Sequence, residues 1–145
     1  MRSYMILLAV LLCLAIGGSA SAEAAADRMA IAQAQHDMLV LLIDKGEYDK
    51  VPAEFQKILD LRFTDADEQK VVSEVLILSD LLVKKSQAKV SLRLVDMGLG
   101  SLKEKDSLVK LYKEKGFLYK TMGQPEKAME MFEKVKALEA SGSSK

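Results

Sequence analysis

The chain has 145 residues, half of them hydrophobic, and it carries 21 basic and 21 acidic side chains. This length limits it to one domain, and this apolar content excludes disorder of the whole chain. A net charge near zero excludes general attraction to nucleic acid or anionic lipid as the basis of its function.

Residues 1–22 have the three-part layout of a secretory signal peptide. Arg2 supplies the positive start, residues 5–16 are apolar, and the small residues Ala20-Ser21-Ala22 end the segment. We expect cleavage after Ala22, a periplasmic or secreted protein, and no stable membrane insertion after cleavage. The alternative is an uncleaved anchor, but a membrane-spanning helix normally needs about 18 or more apolar residues.

Cys13 is the only cysteine and lies inside the apolar run. Cleavage would therefore leave no thiol, which excludes disulfides, thiol catalysis and cysteine metal sites in the mature chain. Lipidation at Cys13 is a competing interpretation. Against it, Leu12 stands where lipoprotein signals carry a small residue.

After a flexible start at residues 23–26, the sequence predicts a pair of helices. The first is expected from about Asp27, which favours an N-cap, to Lys45, with Gly46 at its end. The second starts near Tyr48 and continues to Arg62. It tolerates Pro52 because that residue falls in about the first turn.

Two more helices follow on either side of a short turn at Lys85-Ser86. Thr64 or Asp65 caps the third helix, which reaches Lys84 through a stripe of valine and leucine. The fourth is expected to end before Gly98, whose freedom at positive φ suits a C-terminal cap.

The last pair begins with Ser101 and Glu104, which form a capping-box pattern before a fifth helix at residues 102–122. Gly123-Gln124-Pro125 predicts a turn, with Pro125 at the first position of a sixth helix that runs to about residue 140. Residues 141–145 read as a disordered tail. The prediction is an all-α domain at residues 27–140, in three hairpins at about 27–62, 65–97 and 102–140.

The predicted hairpins resemble each other at an offset of 38 to 39 residues, which indicates internal repeats. Matching positions in the second helix of each hairpin hold apolar side chains of similar pattern. These are Val51, Phe55 and Ile58, then Val90, Leu94 and Met97, then Ala128, Phe132 and Val135.

The third hairpin resembles a tetratricopeptide repeat. The matching residues are Tyr112, Gly116, Tyr119, Gly123, Ala128 and Phe132. The first hairpin keeps only Gly46 and Phe55 of that pattern, and the second keeps little beyond apolar character. The resemblance implies three antiparallel helix hairpins stacked as a short α-solenoid, whose first helices line a concave groove that binds peptide segments. The alternative is an ordinary helical bundle without a groove.

Projecting the family pattern predicts which side chains line the groove. They are Lys110, Lys113, Phe117 and Lys120 on the fifth helix, Val72, Val75, Ser79 and Leu82 on the third, and Gln33, His36, Val40 and Ile43 on the first. An apolar centre and a basic end suit a peptide with apolar anchors and an acidic end. The lysines also fit a solvated face interleaved with Glu104, Asp106 and Glu114.

Charge is distributed unevenly along the chain. Residues 23–83 carry thirteen acidic and six basic side chains, net −7, and residues 84–145 carry eight acidic and fourteen basic ones, net +6.

Family members that grip a terminal carboxylate use asparagines beside lysines, and this sequence has no asparagine. A looser basic patch is therefore expected rather than a carboxylate clamp.

Motifs for catalysis are missing from the sequence. It has no Gly-rich phosphate loop, no His-Glu pair at metal spacing and no nucleophile elbow. His36 is the only histidine and lacks further ligands in reach, so no metal site and no cofactor are expected.

The sequence thus predicts a non-catalytic protein-protein interaction module, an adaptor or assembly factor of a bacterial-type envelope. The alternative is a small structural bundle that self-associates through its last hairpin. There Met131 is expected in the core, and Met129 lies outside the apolar stripe.

Overall fold

A computed structural model describes the backbone of residues 2–141 and the side chains of residues 21–141. Within this part of the chain all regular structure is helical, which confirms the all-α prediction. The helices are α1 (Arg2–Lys45), α2 (Val51–Leu59), α3 (Glu68–Lys84), α4 (Ala88–Ser101), α5 (Lys105–Thr121) and α6 (Pro125–Ala140), with a 3₁₀ turn at Asp65–Asp67 before α3. The predicted tail, apart from Ser141, lies outside the described residues.

The chain divides into two compact units, Met1–Ala34 and Gln35–Lys145. The first unit belongs to α1, which runs without interruption through residues 23–26 and past Asp27, where the sequence predicted a flexible start and an N-cap. Three consecutive alanines at 24–26 explain this continuity, because alanine has the highest helix propensity.

Within the described part of the chain, no helix combines the length and apolar character that crossing a membrane requires. The predicted leader covers residues 1–22 and includes Cys13, and the side chains of residues 1–20 lie outside the described part. The signal peptide and its cleavage therefore stay predictions.

The second unit is built around one apolar core. Helices that follow each other pack together, α3 with α4, α4 with α5 and α5 with α6, and further contacts join α2 to α4 and α3 to α5. Fully buried side chains from five helices meet in this core, among them Leu39, Phe55, Leu78, Leu94 and Leu111. Their spacing of three or four residues along each helix places them on one side of it.

Two predicted turns have the expected backbone. Gly46 follows α1 with φ of 76°, and Gly123 lies between α5 and α6 with φ of 70°. Both angles fall in the left-handed region that favours glycine. Pro125 begins α6 and Pro52 lies in the first turn of α2, as predicted.

The end of α4 differs from the prediction. Gly98 does not cap the helix but is buried inside it, where an added Cβ would lie 3.0 Å from Leu111 Cδ1. This glycine is therefore a point of close helix approach. Ser101 is the last residue of α4, so the predicted capping box with Glu104 does not form.

A buried carboxylate holds the start of α5 instead. Glu68, at the beginning of α3, accepts hydrogen bonds from the backbone N–H groups of Lys103 and Glu104, both at 2.9 Å. These donors precede the first turn of α5. The negative charge is favourably placed there, since a helix N-terminus carries partial positive charge.

Candidate functional site

The predicted face of α5 is exposed. Lys110, Lys113, Phe117 and Lys120 all reach solvent, and the Phe117 side chain is 55 % exposed although its ring makes an edge contact with Phe132 at 5.6 Å between centroids. Lys113 pairs with Glu139 at 2.9 Å and Lys110 donates to Gln69 at 2.5 Å. Lys110 and Lys113 are thus accessible but already have local polar contacts.

The predicted third-helix residues lie elsewhere. Val72, Val75, Ser79 and Leu82 are between 0 and 1 % exposed and form part of the core. In this fold they present no surface that a partner could contact. The side of α3 that reaches solvent carries Ile77, which is 49 % exposed.

A register difference of two residues explains this correction. The family pattern matched α5 to α3 at an offset of 38, which pairs Phe117 with Ser79. The exposed counterpart is Ile77, at an offset of 40. Two residues turn a helix by about 200°, so this slip exchanges its solvent side for its core side.

The predicted residues on α1 are divided between core and surface. Ile43 is buried, Val40 is partly buried, and Leu41 is 46 % exposed. His36 is half-buried, and its Nδ1 lies 2.9 Å from both carboxylate oxygens of Glu74 on α3. Gln33 belongs to the first unit and is exposed there.

Contacts between side chains place α3 between α1 and α5. On one side, α1 reaches α3 through His36 and Glu74. On the other side, Gln69 of α3 donates to Ser107 of α5 at 3.0 Å. Later residues of one helix contact later residues of the next. Asp44, near the end of α1, meets Lys85 at the end of α3, and Ser79 of α3 meets Glu114 farther along α5. The three helices therefore run parallel.

Large apolar side chains reach solvent on each of these parallel helices: Ile77 on α3, Phe117 on α5, and Leu41 on α1, where Met29, Ile31 and Met38 are exposed as well. Leu41 and Ile77 each stand two residues after a fully buried residue, Leu39 and Val75, and so point away from the core. We call the surface formed by Leu41, Ile77 and Phe117 together with their charged neighbours the outer face.

Charge on the outer face changes from one side to the other. The α1 side carries the exposed carboxylates Asp37 and Asp44, and the α5 side carries the exposed lysines. On α3, Asp80 pairs with Lys84 at 2.6 Å, so the middle has little net charge. This order matches the sequence-wide change from acidic to basic.

Sequence reasoning missed a buried polar cluster beneath this surface. The Ser79 hydroxyl lies 2.6 Å from that of Ser91 on α4 and donates to the Glu114 carboxylate on α5. Both serines are fully buried. Serines at apolar-stripe positions were the available signal, because a buried hydroxyl requires a hydrogen-bond partner.

Neither metal chemistry nor a deep cavity is evident at the outer face. Among the described residues, no group of three or more His, Cys, Asp or Glu side chains could hold a metal ion. One open pocket of about 560 Å³ lies away from this face, between the turn after α3 and the end of α5, and includes Gln87 and Thr121. What the outer face offers chemically is apolar contact and charge.

Comparison with protein-family models found no match to this chain, and comparison with curated proteins found no similar sequence. The functional proposal therefore depends on the contacts and charges of the chain itself.

Proposed function

We propose that this protein is a non-catalytic interaction module that binds a peptide or partner protein on the outer face. The observation that carries the proposal is the row of Leu41, Ile77 and Phe117, which are 46, 49 and 55 % exposed on three parallel helices. Burying a large apolar side chain completely contributes about 1.5–3 kcal/mol. Because each of these side chains is about half exposed, about half of this free energy remains available for binding a partner at each position.

We further propose that the helix pairs stack as a short tetratricopeptide-like solenoid. Contacts of α3 with α5 and of α2 with α4 support it, because stacked pairs bring first helices next to first helices and second next to second. The close approach of Gly116 to Phe132 supports the resemblance of the last pair.

The expected partner has apolar anchors and an acidic part that meets α5. Lys110, Lys113 and Lys120 supply the positive charge. Their present contacts are exposed, and exposed ion pairs contribute only about 0–1 kcal/mol, so a partner carboxylate can replace Glu139 at little cost. Charge of this kind mainly speeds association and selects partners.

Crosslinking in the native envelope followed by partner identification tests the proposal. A variant with Lys110→Glu, Lys113→Glu and Lys120→Glu should capture much less of the crosslinked partner. The matched control is Lys127→Glu, Lys134→Glu and Lys136→Glu, which makes the same charge change on exposed positions of α6. Equal capture by both variants removes the basic side from the proposal.

The role as an adaptor or assembly factor of a bacterial envelope rests on the signal-peptide pattern. N-terminal sequencing of the protein from its cells tests it. A chain that begins at Glu23 supports export with cleavage. One that begins at Met1 supports the membrane-anchored alternative.

A second candidate is self-association through the last hairpin. Met129 on α6 is 62 % exposed, whereas Met131 is buried, as predicted. Flexible methionines form adaptable contact surfaces. If α6 joins two copies, Met129→Lys should convert a dimer to a monomer in light scattering, and an unchanged mass rejects this candidate.

A further inference from the structure

The charged residues of the outer face stand in matching register on its two flanking helices. On α1, Asp37 lies four residues before Leu41 and Asp44 lies three residues after it. On α5, Lys113 and Lys120 hold the same positions relative to Phe117. Three and four residues are about one helical turn, so each apolar side chain has a charge one turn below and one turn above it.

We propose that the outer face binds a second copy of this chain, with the two-fold axis of the dimer running along α3. This inference goes beyond the proposed function, and because it uses the same face, a second copy would compete with the partner proposed above. Rotation by 180° about such an axis places α1 of each copy over α5 of the other and keeps the helices parallel. Each copy then contributes the same surface, as an isologous interface requires.

The register places both carboxylates of the α1 flank opposite lysines in this arrangement, and exposed Lys45, four residues after Leu41, is the one basic side chain at that end of the flank. Leu41 meets Phe117 of the second copy, with Asp37 opposite Lys113 and Asp44 opposite Lys120. The two-fold axis generates the same three contacts on the opposite flank, so the interface has four charge pairs around two apolar contacts. Ile77 meets its own counterpart on the axis.

The charges on the axis do not oppose this dimer. Asp80 and Lys84 pair within each copy at 2.6 Å, so that part of α3 brings little net charge to the second copy. On the flanking helices, Asp44 of α1 pairs with Lys85 at 3.6 Å, and Lys113 of α5 pairs with Glu139. These contacts are exposed and exchange readily.

The other two-fold arrangement of these faces is unfavourable. An axis perpendicular to α3 places α1 over α1 and α5 over α5. The carboxylates of Asp37 and Asp44 then face each other, and so do the lysines of α5. Juxtaposed like charges penalise such a complex strongly, so the order of charge selects the axis along α3.

Two charge-reversed variants of the full chain test the inference. One carries Asp37→Lys and Asp44→Lys, and the other carries Lys113→Glu and Lys120→Glu. In each variant alone, the side chains at these positions of α1 and α5 have the same sign of charge and repel each other across the interface. We therefore expect the dissociation constant of its dimer to be at least about tenfold higher than that of the wild type. Mixed in equal amounts, the variants are complementary at both flanks, and the mixture should recover the mass of a dimer.

Sedimentation velocity at rising protein concentration gives the readout. A wild-type chain that stays monomeric overturns the inference, as does a mixture that remains monomeric while both variants keep their helical circular dichroism. If a variant does not fold, Ile77→Glu replaces it, because this change places two carboxylates on the axis and should also give monomers.

Met129→Lys is the matched control and should leave the dimer intact. Loss of the dimer with Met129→Lys, but not with Ile77→Glu, assigns self-association to α6 and overturns the inference. Partner capture is measured separately on the lysine variants described above. A monomeric wild type that still captures its partner therefore leaves the proposed function in place.

Discussion

Gly116 on α5 lies close to the ring of Phe132 on α6. An added Cβ there would lie 2.7 Å from Phe132 Cε1 and 2.8 Å from its Cζ. Gly116→Val forces that ring aside, so we expect it to lower the free energy of unfolding by about 1–3 kcal/mol in urea denaturation.

Gly100 supplies the matched control for this substitution. It also lies in a helix, but a Cβ there would meet nothing within 4 Å. Gly100→Val should therefore change the stability by no more than about 0.5 kcal/mol, because valine and glycine differ little in helix propensity. If Gly116→Val is as stable as the wild type, the close approach of α5 and α6 is not as described.

Glu68 is the residue that joins the start of α3 to the start of α5. Glu68→Ala leaves the N–H groups of Lys103 and Glu104 without their acceptor, so we expect a loss of about 1–3 kcal/mol in the free energy of unfolding. Asp80→Ala is the control. It removes an exposed pair with Lys84 and should cost no more than about 1 kcal/mol. Equal effects would contradict the role of Glu68.

At the scale of elements, the Ser79 hydroxyl ties three helices together. Ser79→Ala removes the contact of α3 with Ser91 on α4 and with Glu114 on α5, and it leaves both partners with an unmet hydrogen bond. We expect a loss of about 1–3 kcal/mol by urea denaturation. Ser73→Ala on the exposed side of α3 should change the stability by less than about 0.5 kcal/mol.

The turn between α1 and α2 carries a pH-dependent pair. A hydrogen bond from Lys50, followed by its positive charge, lowers the pKa of Glu47, and the same pair raises the pKa of Lys50. Because the Glu47 pKa is lower in the folded chain, the stabilisation is present above its unfolded value and is lost as pH falls through the folded one. The raised Lys50 pKa sets the upper limit, above which the stabilisation is lost again.

Removing the ammonium tests this pair directly. Lys50→Gln should raise the pKa of Glu47 toward its ordinary value in an NMR titration, since it removes the positive charge of the ammonium and replaces a charged hydrogen-bond donor by a neutral one. Lys57→Gln, which removes the partner of Glu54 instead, should leave the Glu47 pKa unchanged. A Glu47 titration that does not respond to Lys50→Gln would contradict the pairing.

At the scale of the whole molecule, the contiguous core connects α1 to α5, whereas the buried residues of α6 lie outside it. Those residues are Ala128, Met131 and Val135. We expect amide hydrogens of α6 to exchange with a lower opening free energy than those of α3 and α4, measured by hydrogen exchange and mass spectrometry.

Two core substitutions sharpen this expectation. Met131→Ala should speed exchange chiefly in α6, whereas Leu78→Ala should speed it throughout the second unit, because Leu78 is fully buried in the shared core. If both variants change all helices alike, α6 unfolds together with the rest.

Individual residues show how far the sequence could be read. Gly46, Gly123 and Pro125 were predictable because each has a backbone requirement that few other residues meet. Gly116 with Phe132 was predictable because a small and a large residue recur at positions that face each other. Glu68 and Gly98 were not, because no cap, turn or repeat pattern in the sequence indicates which residues of other helices they meet.

The amino-acid sequence by itself determined that the chain is helical, several of the helix ends, and the uneven charge of the chain, because capping, turn chemistry and apolar spacing act over a few residues. Only the tertiary structure decided which side of α3 meets solvent. Loop lengths set the register between helices, and two residues of register turn a helix by about 200°, which exchanges Ser79 for Ile77 on the outer face.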